Sequence, residues 1–381
     1  MRLLFYSIII LTVVLAFVLV GQVVYWTSRI FVTKHLAGII HWVFLGTLVV
    51  VIAIASVVGH WYTRHQLEVK HVDIVSAHVP DAFDGFRIAQ LSDMHLDWFD
   101  SIQGHAFYAQ LCQAIQQEQP DIIVFTGDLV TIQSQEADPF RDVLYNLAHI
   151  PATRRGEEPF IPVYSILGNH DYADYTRLSA REKVADVQRL CHLQEEAGWQ
   201  LLRNEGVLLN RQGEVIADTL SSDSASNVAN SSTQRIALLG VENIGEPPFS
   251  TYGDLKKARQ IIAESTEAPY SILLSHNPTH WRSEVLPQTD IDLMLAGHTH
   301  AVQLKIGQWS PAQWKYPEWG GLYEASQVRQ EDGTPLKSTA ATRPQHLYVN
   351  TGIGGVGPRV RIGVRPELTI LTLKKGNIAA R

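Results

Sequence analysis

Five short polar clusters carry the side chains that could do chemistry in this sequence. They combine Asp, Asn and His, which supply oxygen and nitrogen ligands for divalent metals. None of them pairs a Ser or Cys nucleophile with a base at matching spacing. In chain order the clusters are Ser92-Asp93-Met94-His95, Thr126-Gly127-Asp128, Gly168-Asn169-His170-Asp171, Ser275-His276-Asn277 and Gly297-His298-Thr299-His300.

Each cluster has an ordinary structural explanation when it is taken alone. A Gly-Asp pair after a strand is usually a turn, and a single Asn or His is usually a cap or a satisfied core group. His298 and His300 are more specific, because two residues apart on an extended segment they face the same side and can bind one metal. Five such clusters in order favour a metal site over scattered caps and core polar groups.

Each cluster follows a short apolar run, which predicts a buried strand ending at the cluster. The predicted strands are Arg87–Leu91, Ile122–Phe125, Val163–Leu167, Ser271–Leu274 and Asp292–Leu295. Helices are predicted over Ala106–Glu118, which Pro120 ends, and over about Arg181–Ala197. This alternation indicates an α/β domain, and open α/β sheets bind ligands beyond the carboxyl ends of their strands.

Two insertions interrupt this pattern. Residues 221–233 are rich in Ser and Asn and are typical of an exposed loop, whereas residues 309–341 contain Trp309, Trp314 and Trp319. These tryptophans could enter a membrane interface or hold acyl chains, or they could form a small core under the loop. Two roles are also open for Arg359, Arg361 and Arg365 near the C-terminal end. They could bind a diphosphate or a lipid headgroup, or they could lie on a solvated strand face.

The N-terminal 65 residues have the composition of a membrane anchor. Neither Leu3–Thr27 nor Leu36–Gly59 contains Asp, Glu, Lys or Arg, and a spanning helix needs about 20 apolar residues. We predict two transmembrane helices, over about 3–27 and 36–59, in an anchor of residues 1–65 that precedes a catalytic domain of residues 66–381. A cleaved signal peptide is disfavoured, because the first apolar run is too long and a second follows at once.

Charge and cysteine content indicate the orientation of the catalytic domain and exclude some classes of partner and site. Arg2, Arg64 and Lys70 outnumber Arg29 and Lys34 of the connecting loop, which favours a cytoplasmic catalytic domain. A net charge of −7 disfavours nucleic acid as a partner. The two cysteines have no CxxC spacing, so a disulfide framework and a thiolate zinc site are excluded.

The motif order Asp-x-His, Gly-Asp, Gly-Asn-His-Asp, His and Gly-His-x-His resembles the calcineurin-like metallophosphoesterase superfamily. The resemblance covers about Phe86–Thr372. The tail Val349–Gly354 with Arg365–Leu368 is similar to its bacterial membrane-anchored branch, which includes UDP-2,3-diacylglucosamine hydrolases and transmembrane proteins with a metallophosphoesterase domain. The resemblance implies a four-layer αββα sandwich of two mixed β-sheets, preceded by two transmembrane helices in a bacterial inner membrane.

The resemblance also implies two divalent metals that share one carboxylate. A hydroxide bridging the ions would attack phosphorus, so no covalent enzyme intermediate is needed. Manganese is the expected ion, with iron and zinc as alternatives. Carried over residue by residue, one metal would take Asp93, His95, Asp128 and His300, and the other would take Asp128, Asn169, His276 and His298.

His170 is the expected catalytic residue that does not bind metal. By resemblance it faces the scissile phosphate and, as imidazolium, stabilises the transition state or protonates the leaving oxygen, with Asp171 a candidate for orienting its ring. One departure from relatives is that Leu129 and Val130 follow Asp128 where a further carboxylate is often found. This departure leaves the metal preference open.

Anchoring near a bilayer would bring the site to lipid-linked phosphates. The resemblance therefore predicts hydrolysis of a phosphodiester or pyrophosphate bond, with UDP-2,3-diacylglucosamine as the leading substrate. The alternatives are a broad-specificity phosphodiesterase or phosphatase on soluble phosphoesters and, in a different class, a metal-binding membrane scaffold with a vestigial site. The sequence leaves the oligomeric state open.

Overall fold

The computed structural model divides the chain into two compact units, Met1–Tyr62 and Thr63–Arg381. The insertion expected over 221–233 and the 329–341 part of the second insertion lie outside the described residues. The structure describes residues 2–153, 159–216, 235–246, 250–263, 269–328 and 344–376, without the side chains of residues 2–15, 263 and 327.

The first unit consists of helices α1 (Arg2–Phe31) and α2 (Lys34–Trp61). Nδ1 of His41 on α2 donates to the carbonyl of Gly21 on α1 at 2.6 Å, so the two helices are in contact within this unit.

Within the part of the chain whose side chains are described, Lys34–His65 is the helix long and apolar enough to cross a membrane. Ala16–Phe31 is apolar but shorter. The predicted span over 36–59 therefore has a candidate helix. The predicted span over 3–27 falls on α1 but includes side chains outside the description, and the two-helix anchor stays a prediction.

The second unit contains all of the strands in the described residues. The strands are β1 (Glu68–Ser76), β2 (Arg87–Leu91), β3 (Ile122–Phe125), β4 (Val163–Ser165), β5 (Gln200–Leu201), β6 (Glu205–Leu209), β7 (Ile236–Gly240), β8 (Tyr270–Leu274), β9 (Leu293–Ala296), β10 (Gly321–Glu324), β11 (His346–Val349) and β12 (Glu367–Lys375). The helices are α3 (Ser101–Glu118), α4 (Arg141–Ala148), α5 (Ala180–Glu196), α6 (Leu255–Ala258), α7 (Gln260–Ala263) and α8 (Leu286–Gln288).

Most predicted elements of this unit are present with small shifts at their ends. β2 and β3 have the predicted bounds, whereas β4 stops two residues early, at Ser165. Helix α3 begins at Ser101 rather than at Ala106, because the Asp100 side chain accepts the N–H of Gln103 at 2.9 Å and caps the helix.

The strands form two mixed six-stranded sheets. The first has the order β1-β12-β2-β3-β4-β5 and the second the order β10-β11-β9-β8-β7-β6. Parallel pairing joins β2, β3, β4 and β5 in the first sheet, and β11, β9, β8 and β7 in the second. The five strands that precede the polar clusters are β2, β3 and β4 in the first sheet and β8 and β9 in the second. Within each sheet these strands are parallel, so their clusters follow at the same edge of the sheet.

Strand β3 shows how the layers are stacked. Ile122 and Val124 lie in the core between the two sheets, and Ile123 and Phe125 face the opposite side, in the core with α3, α4 and α5. A third core covers the outer face of the second sheet with α6 and Trp281. The order of layers is helices, sheet, sheet, helices, which agrees with the expected α/β fold of two mixed sheets.

Polar contacts between the sheets bring their cluster-bearing edges together. Nε2 of Gln90 on β2 donates to the carbonyl of Ala296 on β9 at 2.9 Å. Nδ1 of His276 crosses from the second sheet to the carbonyl of Thr126 at 2.8 Å. The ends of β2, β3, β4, β8 and β9 therefore converge on one region.

Candidate metal centre

The loops after β2, β3 and β9 hold their Asp and His residues in the left-handed region of backbone space. An L residue rarely adopts this conformation, and it persists only where surrounding contacts impose it. The loops supply such contacts to each other, since the N–H groups of Asp93 and His95 donate to the carbonyls of Gly127 and Asp128 at 2.8 and 3.1 Å. The φ angles are 51° at Asp93, 41° at His95, 60° at Asp128, 74° at His298 and 50° at His300.

Two glycines allow the loops to approach this closely. A Cβ at Gly168 would collide with the Asp128 carboxylate. Gly352 has a φ of 78°, and a Cβ there would lie 2.8 Å from Cβ of Asp93 and 3.2 Å from Nδ1 of His300. Any side chain at either position would push apart the groups that line the centre.

Four of the expected ligands form one buried cluster. Asp93, His95, Asp128 and His300 offer ligand atoms that all lie within 4.8 Å of one another. Nε2 of His95 is 3.3 Å from Nε2 of His300 and 3.6 Å from Oδ2 of Asp128. Nε2 of His300 is 3.2 Å from Oδ1 of Asp93.

A second cluster adjoins the first through Asp128. Asp128, His276 and His298 also offer ligand atoms within 4.8 Å of one another. The Asn169 side-chain oxygen lies between the two imidazoles, 3.1 Å from Nε2 of His276 and 2.7 Å from Nδ1 of His298. All seven residues expected to bind metal are therefore brought together, in two groups that share one carboxylate.

The Asp128 carboxylate shows that the centre suits bound cations. Its Oδ1 accepts the His170 N–H at 2.8 Å. Its Oδ2 is buried without a well-formed hydrogen bond in the described part of the chain, and lies 3.1 Å from Nε2 of His276. The imidazole nitrogens of His95 and His276 face this one buried carboxylate oxygen, and together they form a donor set that fits divalent metals.

The partners of the remote imidazole nitrogens indicate which nitrogen would bind metal. Nδ1 of His276 faces the Thr126 carbonyl, which can only accept, so Nε2 is left for a metal. Nδ1 of His95 lies 3.1 Å from the Thr131 hydroxyl, which itself donates to the Asp97 carboxylate. This chain of hydrogen bonds also turns Nε2 of His95 toward the centre.

Burial and mutual charge set the protonation of the centre. Burial lowers the pKa of His95 and of His298 to about 3, so both rings are neutral bases at neutral pH. Burial opposes ionisation of Asp128, but the charge of His276 and then of His170 holds its pKa well below the usual value. Burial raises the pKa of Asp93 to about 7.

His276 is the protonated member of the group. Burial lowers its pKa, but the Asp128 carboxylate more than offsets this effect and raises the pKa to about 9. A divalent cation at this position would take the place of that proton.

Comparison with known proteins gives the family of this domain. Residues 86–302, more than half of the chain, match the family model described as calcineurin-like phosphoesterase. The chain belongs to the calcineurin-like phosphoesterase family. Membership and the buried Asp/His clusters together support a phosphoester hydrolase with a divalent-metal site.

Individual relatives of this phosphoesterase include membrane proteins. It is 28% identical over 325 residues to the metallophosphoesterase YkuE of Bacillus subtilis, covering 84% of this chain and 91% of the relative. It is 26% identical to a transmembrane protein with metallophosphoesterase domain of Danio rerio, covering 86% of this chain and 62% of that relative. It is 26% identical to the UDP-2,3-diacylglucosamine pyrophosphatase LpxG of Chlamydia trachomatis, covering 84% and 94%.

In this phosphoesterase His170 lies at the rim of the first cluster. The ring is half-buried, its centroid is 5.0 Å from that of His95, and Tyr175 packs 4.5 Å away on it. Nδ1 of His170 donates to the carbonyl of Thr131 at 2.7 Å. Nε2 is thus the nitrogen that a substrate could reach.

The Asp171 carboxylate has contacts different from those expected. It is buried and does not orient the His170 ring, because the Thr131 carbonyl makes that contact. Its role in the structure is to fix the loop after β3 against the loop after β4. The backbone N–H groups that it accepts, at 2.8 to 3.2 Å, are those of Gly168, Asp128, Leu129 and Val130.

Two tyrosines that the sequence analysis missed contact the second cluster. The Tyr316 hydroxyl lies 2.9 Å from Nε2 of His298, and the Tyr175 hydroxyl accepts Nδ2 of Asn169 at 2.8 Å. Neither lies in a motif, and Tyr316 is in the insertion after β9. Asp97 was also missed, although its position two residues after His95 was a usable signal.

The three C-terminal arginines differ in environment. Arg361 is fully buried and donates to the carbonyls of Thr351, Gly352 and Gly354. It therefore supports the turn that packs on Asp93, and neither alternative considered for it from sequence applies. The other two are exposed, and Arg359 donates to the Asp97 carbonyl at 2.5 Å while Arg365 lines a separate cavity.

Proposed function

We propose that the protein is a membrane-anchored, dinuclear-metal phosphoesterase that hydrolyses a phosphodiester or pyrophosphate bond. The observation that carries this proposal is the position of Asp128, which belongs to both ligand clusters. Two cations bound side by side repel each other, and a carboxylate between them offsets that repulsion. An isolated structural metal would need one such cluster rather than two that share a ligand.

The seven clustered residues would hold the two ions. When bound, the ions would supply Lewis-acid polarisation of the phosphoryl group and activation of water. We assign Asp93, His95, Asp128 and His300 to one ion, and Asp128, Asn169, His276 and His298 to the other.

His170 would act on the substrate itself. With Nδ1 held by the Thr131 carbonyl, its Nε2 can hydrogen-bond a phosphoryl oxygen or pass a proton to the leaving oxygen. Asp171 would act indirectly, because its four backbone hydrogen bonds keep Asp128 in place. The Asp97–Thr131 pair would do the same for His95.

A lipid-linked phosphate is the proposed substrate class. Support comes from the apolar helix Lys34–His65 and from the similarity to LpxG, a UDP-2,3-diacylglucosamine pyrophosphatase. We propose UDP-2,3-diacylglucosamine as the first substrate to test, manganese as the first metal, and a cytoplasmic face of a bacterial inner membrane. Broad phosphodiesterase activity is the second candidate, because the chain is also 26% identical to the phosphodiesterase YaeI of Escherichia coli over 294 residues.

The test uses full-length protein in detergent, loaded with manganese or treated with chelator. UDP-2,3-diacylglucosamine and bis-p-nitrophenyl phosphate are supplied separately, and an Asp142→Asn variant, altered at an exposed carboxylate, serves as the matched control for Asp128→Asn. Metal-dependent cleavage of the lipid nucleotide by wild type and by Asp142→Asn supports the proposal. Cleavage of the aryl diester alone would reject the lipid substrate, and inactivity on both would favour the scaffold alternative.

A further inference from the structure

The Thr63–Arg381 unit contains a cavity that lies outside the metal-ligand clusters. Its volume is about 420 Å³, and none of the described residues that line it is an expected metal ligand. Strand β1, the segment after His300 and the turn before β12 form its walls. Its charged and aromatic side chains include Lys70, Lys305, Trp319 and Arg365, and Thr63 also lines it.

The cavity has an excess of positive charge. Lys70 is paired with the buried Glu367 at 2.6 Å and lies 3.9 Å from Glu68, the one carboxylate among the described lining residues, so the excess comes from Lys305 and Arg365. Nζ of Lys305 lies 6.0 Å from the centroid of the Trp319 ring. Within the described part of the chain, neither Lys305 nor Arg365 has a carboxylate within 4.0 Å. Cations arranged in this way suit an anion with several oxygens, such as a phosphate group.

An exposed apolar turn forms one side of the cavity. Ile306 and Trp309 exchange backbone hydrogen bonds of 2.8 and 3.1 Å, which closes a tight turn, and Lys305 and Gln308 of the same segment line the cavity. Ile306 is 65% exposed and Trp314, whose ring packs 5.6 Å from that of Trp309, is 77% exposed. Large apolar side chains grouped at the surface mark an interaction site.

A bilayer surface matches both features at once. Trp side chains are favoured at the level of the lipid headgroups, apolar side chains such as Ile306 are favoured at the boundary with the acyl chains, and clustered Lys and Arg bind anionic headgroup phosphates. The sequence agrees with this match, since Thr63, which lines the cavity, directly follows Tyr62, the residue that caps the apolar helix α2. The residue that follows the cap of α2 in the sequence is therefore itself one of the residues that line the cavity.

We propose that the cavity binds the phosphate of an anionic phospholipid headgroup while the Ile306–Trp309 turn and Trp314 enter the bilayer interface. This surface would hold the catalytic unit against the membrane independently of the substrate. The proposal therefore does not rest on the identity of the bond that is hydrolysed.

The experiment places a fluorophore at the turn of the full-length protein. Ile306→Cys is labelled with an environment-sensitive dye and reconstituted in nanodiscs of phosphatidylcholine, with or without phosphatidylglycerol, and labelling of the native Cys112 and Cys191 is measured in the unsubstituted protein and subtracted. We expect a blue shift of emission with phosphatidylglycerol. Val184→Cys, at a 56% exposed apolar position on α5, is the matched control and should show no shift.

Charge reversal tests the cavity. Lys305→Glu with Arg365→Glu should increase the phosphatidylglycerol content needed for half of the shift, by about five-fold per cation. Lys256→Glu, at an exposed lysine on α6, should leave it unchanged. Metal content by elemental analysis should equal that of wild type, which separates this test from failure of the catalytic centre.

Three outcomes would overturn the proposal. One is an Ile306 label that does not respond to phosphatidylglycerol, and another is an equal response of the Val184 label. The third is a shift produced by soluble glycerol 3-phosphate with phosphatidylcholine nanodiscs, since that result would assign the cavity to a free phosphate.

Discussion

The two halves of the metal centre are built differently. In the first half His95 and Asp93 are fully buried, and their neighbours are backbone groups and the buried Thr131. In the second half Asn169 and His298 are only half-buried, and their outer contacts are the hydroxyls of Tyr175 and Tyr316. All ligands of the first half are buried, whereas the second half combines the buried His276 with two ligands whose outer contacts lie near the surface.

This difference predicts which of the two ions is held less tightly. Ligands held by buried contacts lose little freedom when a metal binds, whereas ligands oriented by surface side chains depend on those side chains for their order. We expect the ion of the second half to dissociate first when a chelator is added. Two phases of metal loss, followed by elemental analysis, would show this order.

The largest effect is expected at the residue that both halves share. Asp128→Ala should remove both ions and all hydrolysis, because its carboxylate serves both clusters. Elemental analysis of the purified variant measures the outcome. A variant that kept two ions would contradict the shared role of Asp128.

His170→Ala should separate catalysis from metal binding. A general acid contributes about 10²- to 10⁴-fold to the rate, so turnover should fall by that amount while both ions stay bound. Steady-state kinetics and metal content of the same sample check the prediction. Loss of metal instead would show that His170 is a ligand, and His170 would then have to be added to one of the two halves.

A matched pair of variants compares the two halves directly. Tyr316→Phe removes the hydroxyl that contacts His298, and Thr131→Val removes the one that contacts His95. Loss of a group that orients a ligand lowers metal affinity by about 10- to 100-fold. Chelator titration should show the loss in the first-released ion for Tyr316→Phe and in the last-released ion for Thr131→Val, and the reverse assignment would overturn the comparison.

The smallest effect is expected behind the first half, at Glu367. Burial opposes its ionisation, but Lys70 and then the Thr351 and Tyr348 hydroxyls hold its pKa below the ordinary value of 4.5. The stability that Glu367 contributes is therefore present above about pH 4.5 and is lost as the pH falls through the lowered pKa. Glu367→Gln should lower the melting temperature by a few degrees at pH 7, and this difference should narrow at acid pH.

An exposed ion pair on the same strands is the control for that measurement. Asp73→Asn breaks the contact of Asp73 with Lys374, whose side chains are 54% and 48% exposed, and such pairs contribute little to stability. A pH-independent loss in Glu367→Gln, or an equal loss in Asp73→Asn, would contradict a specific role for the buried carboxylate.

The contrast between the halves also explains what could be predicted from sequence. The ligand positions were predictable because each follows an apolar strand, and parallel strands carry whatever follows them to one edge of the sheet. The contacts of Tyr316 and Tyr175 were not, because no periodicity relates an insertion to the residue it covers. Asp171 lies beside His170 in sequence, but its carboxylate turns to the β3 loop, because three N–H groups there and that of Gly168 need an acceptor.

For the membrane segment, the sequence predicts which residues are apolar enough to cross but gives little information about orientation. Composition predicted two spans, and the described side chains provide one candidate, Lys34–His65. Hydropathy indicates which segments are apolar enough to cross, but the face on which the catalytic unit lies depends on a small difference in flanking charge. That face remains a prediction to be tested by protease protection or labelling.

The supply of ligands by both sheets has a consequence for how the chain matures in a cell. The first sheet supplies Asp93 and Asp128, the second supplies His276 and His298, and Asp93 meets His298 across 205 residues of sequence. Contacts between residues so far apart in sequence form slowly, because a long stretch of chain must be closed into a loop before they are made. Ions held by ligands from both sheets would link these distant segments, so in cells starved of metal we expect the contact between the two sheets to be weaker and the protein to be more sensitive to proteases.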